Sequence, residues 1–125
     1  MTRHIITTSK IAPAVGPFAA AVHAGNFLFL SGQIALDPAT AKLVDGDVSK
    51  QTDQIFKNIA AVLEAAGKSF SDVIKTSVFL ADMKDFAAMN AVYGRYFEAP
   101  YPARTTVAAA GLPLGATVEI EVVAQ

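Results

Sequence analysis

From Asp47 onward the apolar residues switch to helical spacing, and that switch constrains the architecture more than any other feature. Val48, Ile55, Ile59, Val62 and Ala66 recur at helix-turn intervals, while Gln51, Asp53, Lys57 and Glu64 fall on other faces. Asp47 suits an N-cap and Gly67 the C′ position, so the spacing predicts a helix over 48–66. One apolar stripe needs a flat apolar partner, and the rest of the chain offers β-prone runs.

Ile5 and Ile6 fall in a short N-terminal strand. Residues 11–17 form an ordered loop instead, because Pro13 and Pro17 lack the donor that regular structure needs. Phe18–His23 and Asn26–Ser31 read as a tight hairpin turning at Ala24-Gly25. Asp37-Pro38 and Asp45-Gly46 mark loop or hairpin chemistry around Lys42 to Val44. Asp72 to Ala81 reads as a largely buried strand. Asp82 and Asp85 resemble an acidic capping box before a second helix, with Phe86, Met89, Asn90, Tyr93 and Phe97 along one stripe. Pro100 and Pro102 enforce a break, and Thr105–Ala109 and Thr117–Ala124 read as the last strands. This order predicts an α+β fold in a single domain over 1–125, a mixed sheet with two helices packed on one face. The strand-helix stretches from about 26 and 73 hint at a duplicated unit. The other sheet face needs cover, and a partner subunit is its simplest source.

Composition narrows the chemistry. Hydrophobic residues make up 53% of the chain and charged ones 17%, against roughly 25% charged in an average domain, which favours oligomerisation. Ten Lys and Arg against eleven Asp and Glu give a net charge of −1, and no two basic residues are adjacent. No basic stripe foreshadows a nucleic-acid partner. The absence of cysteine removes disulfides, thiolate catalysis and Cys-ligated metal sites. His4 and His23 are too few for a histidine-rich metal site and too far apart for a helical pair, so no metal is expected. Residues 1–24 imitate a signal peptide, with early positive charge and Ala-Val-His-Ala at 21–24. Pro13, Gly16 and Pro17 interrupt its apolar region and no run is long enough to span a bilayer, so a cytoplasmic protein without a membrane partner is expected.

Four groups of residues could carry chemistry. Asn90 sits in the apolar stripe of the second helix, either satisfied by nearby backbone or lining a pocket. Arg104 opens an uncharged stretch to Val118, and a guanidinium in an apolar setting needs an anion. That anion is either Glu119 or Glu121, or the carboxylate or phosphate of a ligand. Glu119 and Glu121 alternate with Val118, Ile120 and Val122, so both project from the strand face opposite the apolar one. They are either solvated or confined where a carboxylate can position or deprotonate water. Ser31-Gly32-Gln33 ends a strand, where backbone amides and a hydroxyl could meet an anion.

Seven segments in order carry a resemblance over essentially the whole chain. They are Pro13-Ala-Val-Gly-Pro-Phe18, Ser31-Gly-Gln-Ile34, Glu64-Ala-Ala-Gly67, Val73-Ile-Lys-Thr76, Phe86-Ala-Ala-Met-Asn-Ala-Val-Tyr93, Tyr101-Pro-Ala-Arg104 and Val118-Glu-Ile-Glu121. The most specific is Pro-x-Arg followed fifteen residues later by Glu-Ile-Glu. Together they resemble the reactive intermediate deaminase family, also called Rid or YjgF. The resemblance implies a chorismate-mutase-like fold and a homotrimer with clefts between subunits. It also implies hydrolysis, without a cofactor, of 2-imino acids and their enamines to 2-oxo acids and ammonium. Matched by position, Arg104 would bind the substrate carboxylate, Glu119 would position the attacking water and Asn90 would line the cleft. Ser31, Gly32 and Thr106 would add polar or backbone contacts. The archetypal deaminases carry Tyr where this chain has Phe18, which keeps the ring in the substrate site and loses one hydroxyl.

Three other functions compete with a deaminase of small imino acids. One is a deaminase of a larger enamine such as 2-aminomuconate, which Phe18 would favour. Another is a non-catalytic trimer that binds small carboxylates or protects other proteins. The last is a ribonuclease, against which the scattered lysines, the net charge of −1 and the lack of a general acid–base histidine pair argue.

Overall fold

The computed structural model describes residues 2–125; Met1, where the leader-like stretch begins, lies outside them. Six strands and two helices follow in the order β1 (Arg3–Ile6), β2 (Ala21–Ala24), β3 (Phe27–Leu30), α1 (Val48–Ala65), β4 (Val73–Leu80), α2 (Phe86–Tyr93), β5 (Ala103–Ala108) and β6 (Val118–Ala124). The strands join one sheet in the order β1-β2-β3-β6-β4-β5, antiparallel throughout except for the parallel pair β4–β5. Because β3 and β4 both run antiparallel to β6, each helix crosses over between strands of like direction. Among the described residues no helix is long and apolar enough to cross a membrane.

Helix α1 forms where its spacing predicts. The Asp47 carboxylate accepts from the Lys50 N–H at 3.0 Å. At the other end the Gly67 N–H reaches the Glu64 carbonyl at 2.9 Å and the Lys68 N–H the Leu63 carbonyl at 2.8 Å. That is a Schellman closure, and it requires the positive φ of +73° at Gly67. Ile55, Phe56, Ile59, Val62 and Leu63 are fully buried against Leu28, Val78, Leu80, Ile120 and Val122 of the sheet. Gln51 is buried as well, against expectation, because its side-chain oxygen accepts both the N–H and the hydroxyl of Thr117, each at 2.9 Å.

Elsewhere the structure corrects the sequence reading. The hairpin strands are shorter than expected, and their two-residue turn is Gly25-Asn26, with φ +59° at Gly25 as a type II′ turn requires of its first residue. Phe18 lies in the loop before the hairpin. No capping box precedes α2: the Asp82 carboxylate instead caps a single 3₁₀ turn at Met83–Asp85 by accepting from the Lys84 N–H at 2.9 Å. The helix ends at Tyr93, so its buried residues are Met89, Val92 and Tyr93, while Phe86 and Asn90 are exposed. Arg104 lies within β5 rather than before it. His4 and His23, distant in sequence, face each other across β1 and β2.

Both helices cover one face of the sheet. Register places Leu28, Thr76, Val78, Ile120 and Val122 on that face and Phe29, Ser77, Phe79, Glu119, Glu121 and Val123 on the other. The second face has no covering helix among the described residues, and Ile5, Phe27, Phe29 and Val107 remain 53%, 39%, 47% and 42% exposed on it.

Candidate functional site

The expected site residues form two separate groups. The first is built where α2 packs beside the edge strand β5. Parallel pairing sets Arg104 beside Thr76 and Thr106 beside Val78, so both point to the helix-covered face. The Arg104 guanidinium carbon stands 4.6 Å from the centre of the Tyr93 ring and 5.6 Å from that of Phe86. Its Nη1 donates to the Asn90 Oδ1 at 2.7 Å. Tyr93 is itself fixed, its hydroxyl sharing a 2.8 Å hydrogen bond with the buried Thr76 hydroxyl. Three α2 residues, Phe86, Asn90 and Tyr93, therefore orient one guanidinium. Among the described residues the ion pairs are Lys10–Glu64, Lys57–Asp53 and Lys84–Asp82, and no carboxylate pairs with Arg104. This overturns the internal pairing with Glu119 or Glu121 and leaves one fork of the guanidinium able to grip an external anion. The Thr106 hydroxyl oxygen is buried there with no partner among the described residues.

The second group lies on the opposite face. Phe18, Ser31, Gly32, Glu119 and Glu121 line a cleft of about 540 Å³, with Leu114 at its rim. Gln33 holds the 31–34 segment against β6 by exchanging hydrogen bonds with Ile120 at 2.8 and 3.1 Å. The Ser31 hydroxyl donates to the Ala19 carbonyl at 2.6 Å and its N–H to the Ala20 carbonyl at 2.9 Å. Both Ser31 donors are thus engaged within the chain. The Gly32 N–H has no backbone acceptor among the described residues. Burial, and after it the neighbouring Glu121 carboxylate, push the Glu119 carboxyl above its ordinary pKa. Phe18 is 50% exposed at the mouth of this cleft.

Arg104 and Glu119 thus stand on opposite faces of a single sheet. The sequence reading also missed Tyr93 and Phe86 as partners of Arg104, because an aromatic stripe at helical spacing reads as core. What signals them is their position three residues after and four before Asn90, on one side of a short helix.

A mixed sheet with two helices on one side thus carries a guanidinium on an aromatic shelf on one face and a half-buried carboxylate in a cleft on the other. A family profile described as endoribonuclease L-PSP matches residues 8–125. The chain is 48% identical to a RutC family protein of Pyrococcus horikoshii over 98% of its own length and 97% of that protein's. It is 42% identical to a human protein named 2-iminobutanoate/2-iminopropanoate deaminase, over 99% of this chain and 90% of the human one. Among solved structures, RidA from an Antarctic Psychrobacter superposes with a TM-score of 0.93 at 45% identity, covering 97% and 98% of the two chains. TdcF of E. coli, solved with bound serine, superposes with a TM-score of 0.91 at 40% identity, covering 97% of each chain. The chain belongs to the reactive intermediate deaminase family, Rid or YjgF.

Proposed function

We propose that this protein hydrolyses short-lived 2-imino acids to 2-oxo acids and ammonium in clefts between the subunits of a homotrimer. The observation that carries the reading is the Arg104 guanidinium, oriented by Tyr93 and Asn90 and unpaired with any carboxylate among the described residues. A 2-imino acid offers one strong handle, its carboxylate, and a planar fork meets it with two parallel hydrogen bonds. Glu119 holds the water. The water oxygen bonds to the imine carbon, and its proton passes through the Glu119 carboxylate to nitrogen. The carbinolamine then expels ammonia as its hydroxyl proton moves to the departing nitrogen, leaving the 2-oxo acid. An imine carbon is already electrophilic, so a fixed water, an anchored substrate and a dry cleft suffice.

The two groups cannot act on one small substrate within one chain, because a sheet separates them. A neighbouring copy that covers the free face of β6 and β4 would bring its Arg104 edge to the Glu119 cleft. The relatives named as 2-iminobutanoate/2-iminopropanoate deaminases and the serine-bound structure support a ligand the size of a small amino acid. The volume of the cleft, about 540 Å³, and the Phe18 ring favour, as a second reading, an enamine with a longer chain such as 2-aminomuconate.

One experiment tests both. Imines generated in situ from a panel of amino acids are followed with and without the protein. Catalysed loss of the imine, fastest for small side chains, supports the first reading, and fastest loss of long-chain enamines supports the second. No acceleration of any imine, with binding of 2-oxo acids retained, leaves a non-catalytic carboxylate binder.

A further inference from the structure

Glycine at position 32 has no backbone explanation. Gly25, Gly46, Gly67 and Gly115 adopt positive φ, whereas Gly32 does not, so its backbone would accept any residue. What excludes a side chain is a neighbour. A β-carbon built on Gly32 would lie 2.1 Å from Oε2 of Glu119, 3.0 Å from its Cδ and 3.2 Å from its Cγ. These three nearest atoms all belong to one side chain. The paired hydrogen bonds between Gln33 and Ile120, each residue one position along from the pair in contact, tie the two segments together. Neither backbone can withdraw, so the carboxylate is what would move. No hydrogen bond holds that carboxylate among the described residues, so packing alone sets its position.

We infer that Gly32 is a positioning residue, its missing side chain being the space in which the Glu119 carboxylate stands. The inference rests on Glu119 holding the attacking water, as proposed above. A methyl group at 32 swings the carboxylate away from the reacting carbon and leaves the fold intact, because the displaced atoms end a flexible side chain. Displacements on the order of 1 Å at a reacting group reduce rates by about a hundredfold. A substitution at Gly32 that acted on the substrate directly would behave differently in combination with a change at Glu119.

The test is a double-mutant cycle on in-situ imines with Gly32→Ala, Glu119→Gln and the pair. We expect Gly32→Ala to lower kcat about tenfold to a hundredfold, with KM changed less than about threefold. The pair should be no slower than Glu119→Gln alone, within about twofold, because both changes remove one function. Wild-type kcat in Gly32→Ala beside a slow Glu119→Gln overturns the inference and leaves the role of Glu119 standing. Losses that multiply in the pair also overturn it, since Gly32 would then act on the substrate directly. Wild-type kcat in Glu119→Gln overturns the role of Glu119 and, with it, this inference. Should Gly32→Ala fail to fold, Gly32→Ala with Glu119→Ala must fold as Glu119→Ala does, because the clash is gone; failure of that pair overturns the inference.

Discussion

Arg104 rests on Tyr93 and Asn90, and truncating it should separate anchoring from folding. Arg104→Ala should stay folded and lose about tenfold to a few hundredfold in kcat/KM on small imines, as charge-assisted hydrogen bonds contribute about 1.5–3 kcal/mol each. Lys at this position should recover only part, because a point charge lacks the fork. Unchanged kcat/KM in Arg104→Ala would remove the anchor. Glu119 makes a pH prediction. In the proposed reaction it acts ionised, and its carboxyl is raised, by burial first and Glu121 second, so activity should fall on the acid side around a midpoint above that of an ordinary glutamate. Glu121→Gln removes the like charge and should move that limb to lower pH in a kcat/KM profile. Stability carries the opposite sign. A folded-state pKa above the unfolded one gives a contribution present below the unfolded pKa and lost as pH rises through the folded one. Glu119→Gln, which cannot ionise, should therefore melt slightly higher than the parent at pH 7 while turning over more slowly.

Local elements were legible where a few neighbouring residues decide them. Asp47, the apolar spacing and Gly67 define α1 without help from the rest of the chain, and Asp47→Ala should cost about 1 kcal/mol, or about 4 °C in Tm, read by calorimetry. Helix α2 was misread because distant partners decide its fate. Asn90 looked like a buried amide by spacing alone, yet β5 passes beside it and Arg104 takes its oxygen. Gln51 looked exposed until Thr117, sixty-six residues away, gave it two donors. The packing of α1 on the segment after α2 shows the same dependence. Tyr96 stacks on Phe56 and donates a short hydrogen bond to Asp53, which with Lys57 holds the Asp53 carboxyl below its ordinary value. Burial and that bond push the tyrosine up to about 12. A depressed carboxyl contributes stability above its unfolded pKa and loses it as pH falls through the folded one. Tyr96→Phe should thus lower Tm modestly at pH 7, and the gap should narrow as pH falls below the ordinary aspartate value of about 4 and on through the depressed value of the folded Asp53 carboxyl.

At the scale of the molecule, the candidate residues were readable one by one and their arrangement was not. Alternation along β6 put Glu119 opposite the apolar face, but which face Arg104 takes depends on the register of β5 against β4. No local pattern encodes that register. Their separation makes a prediction about mixtures. Arg104→Ala and Glu119→Gln, each slowed alone, should together regain about a quarter of the parental rate when unfolded and refolded at equal amounts, since in the proposed ring an intact Arg104 then meets a neighbour's intact Glu119. No recovery would remove the shared cleft. Light scattering should give three times the 13.1 kDa chain mass, and the single-chain mass would remove the shared cleft. The uncovered face bearing Ile5, Phe27, Phe29 and Val107 adds a requirement of timing. If the proposed homotrimer covers it, a newly made chain must hold that face in water until it meets its own kind, and meeting is bimolecular whereas folding is not. Dilution therefore lengthens the vulnerable interval and crowding of half-folded chains invites wrong pairings, so recovery from denaturant should peak at an intermediate concentration.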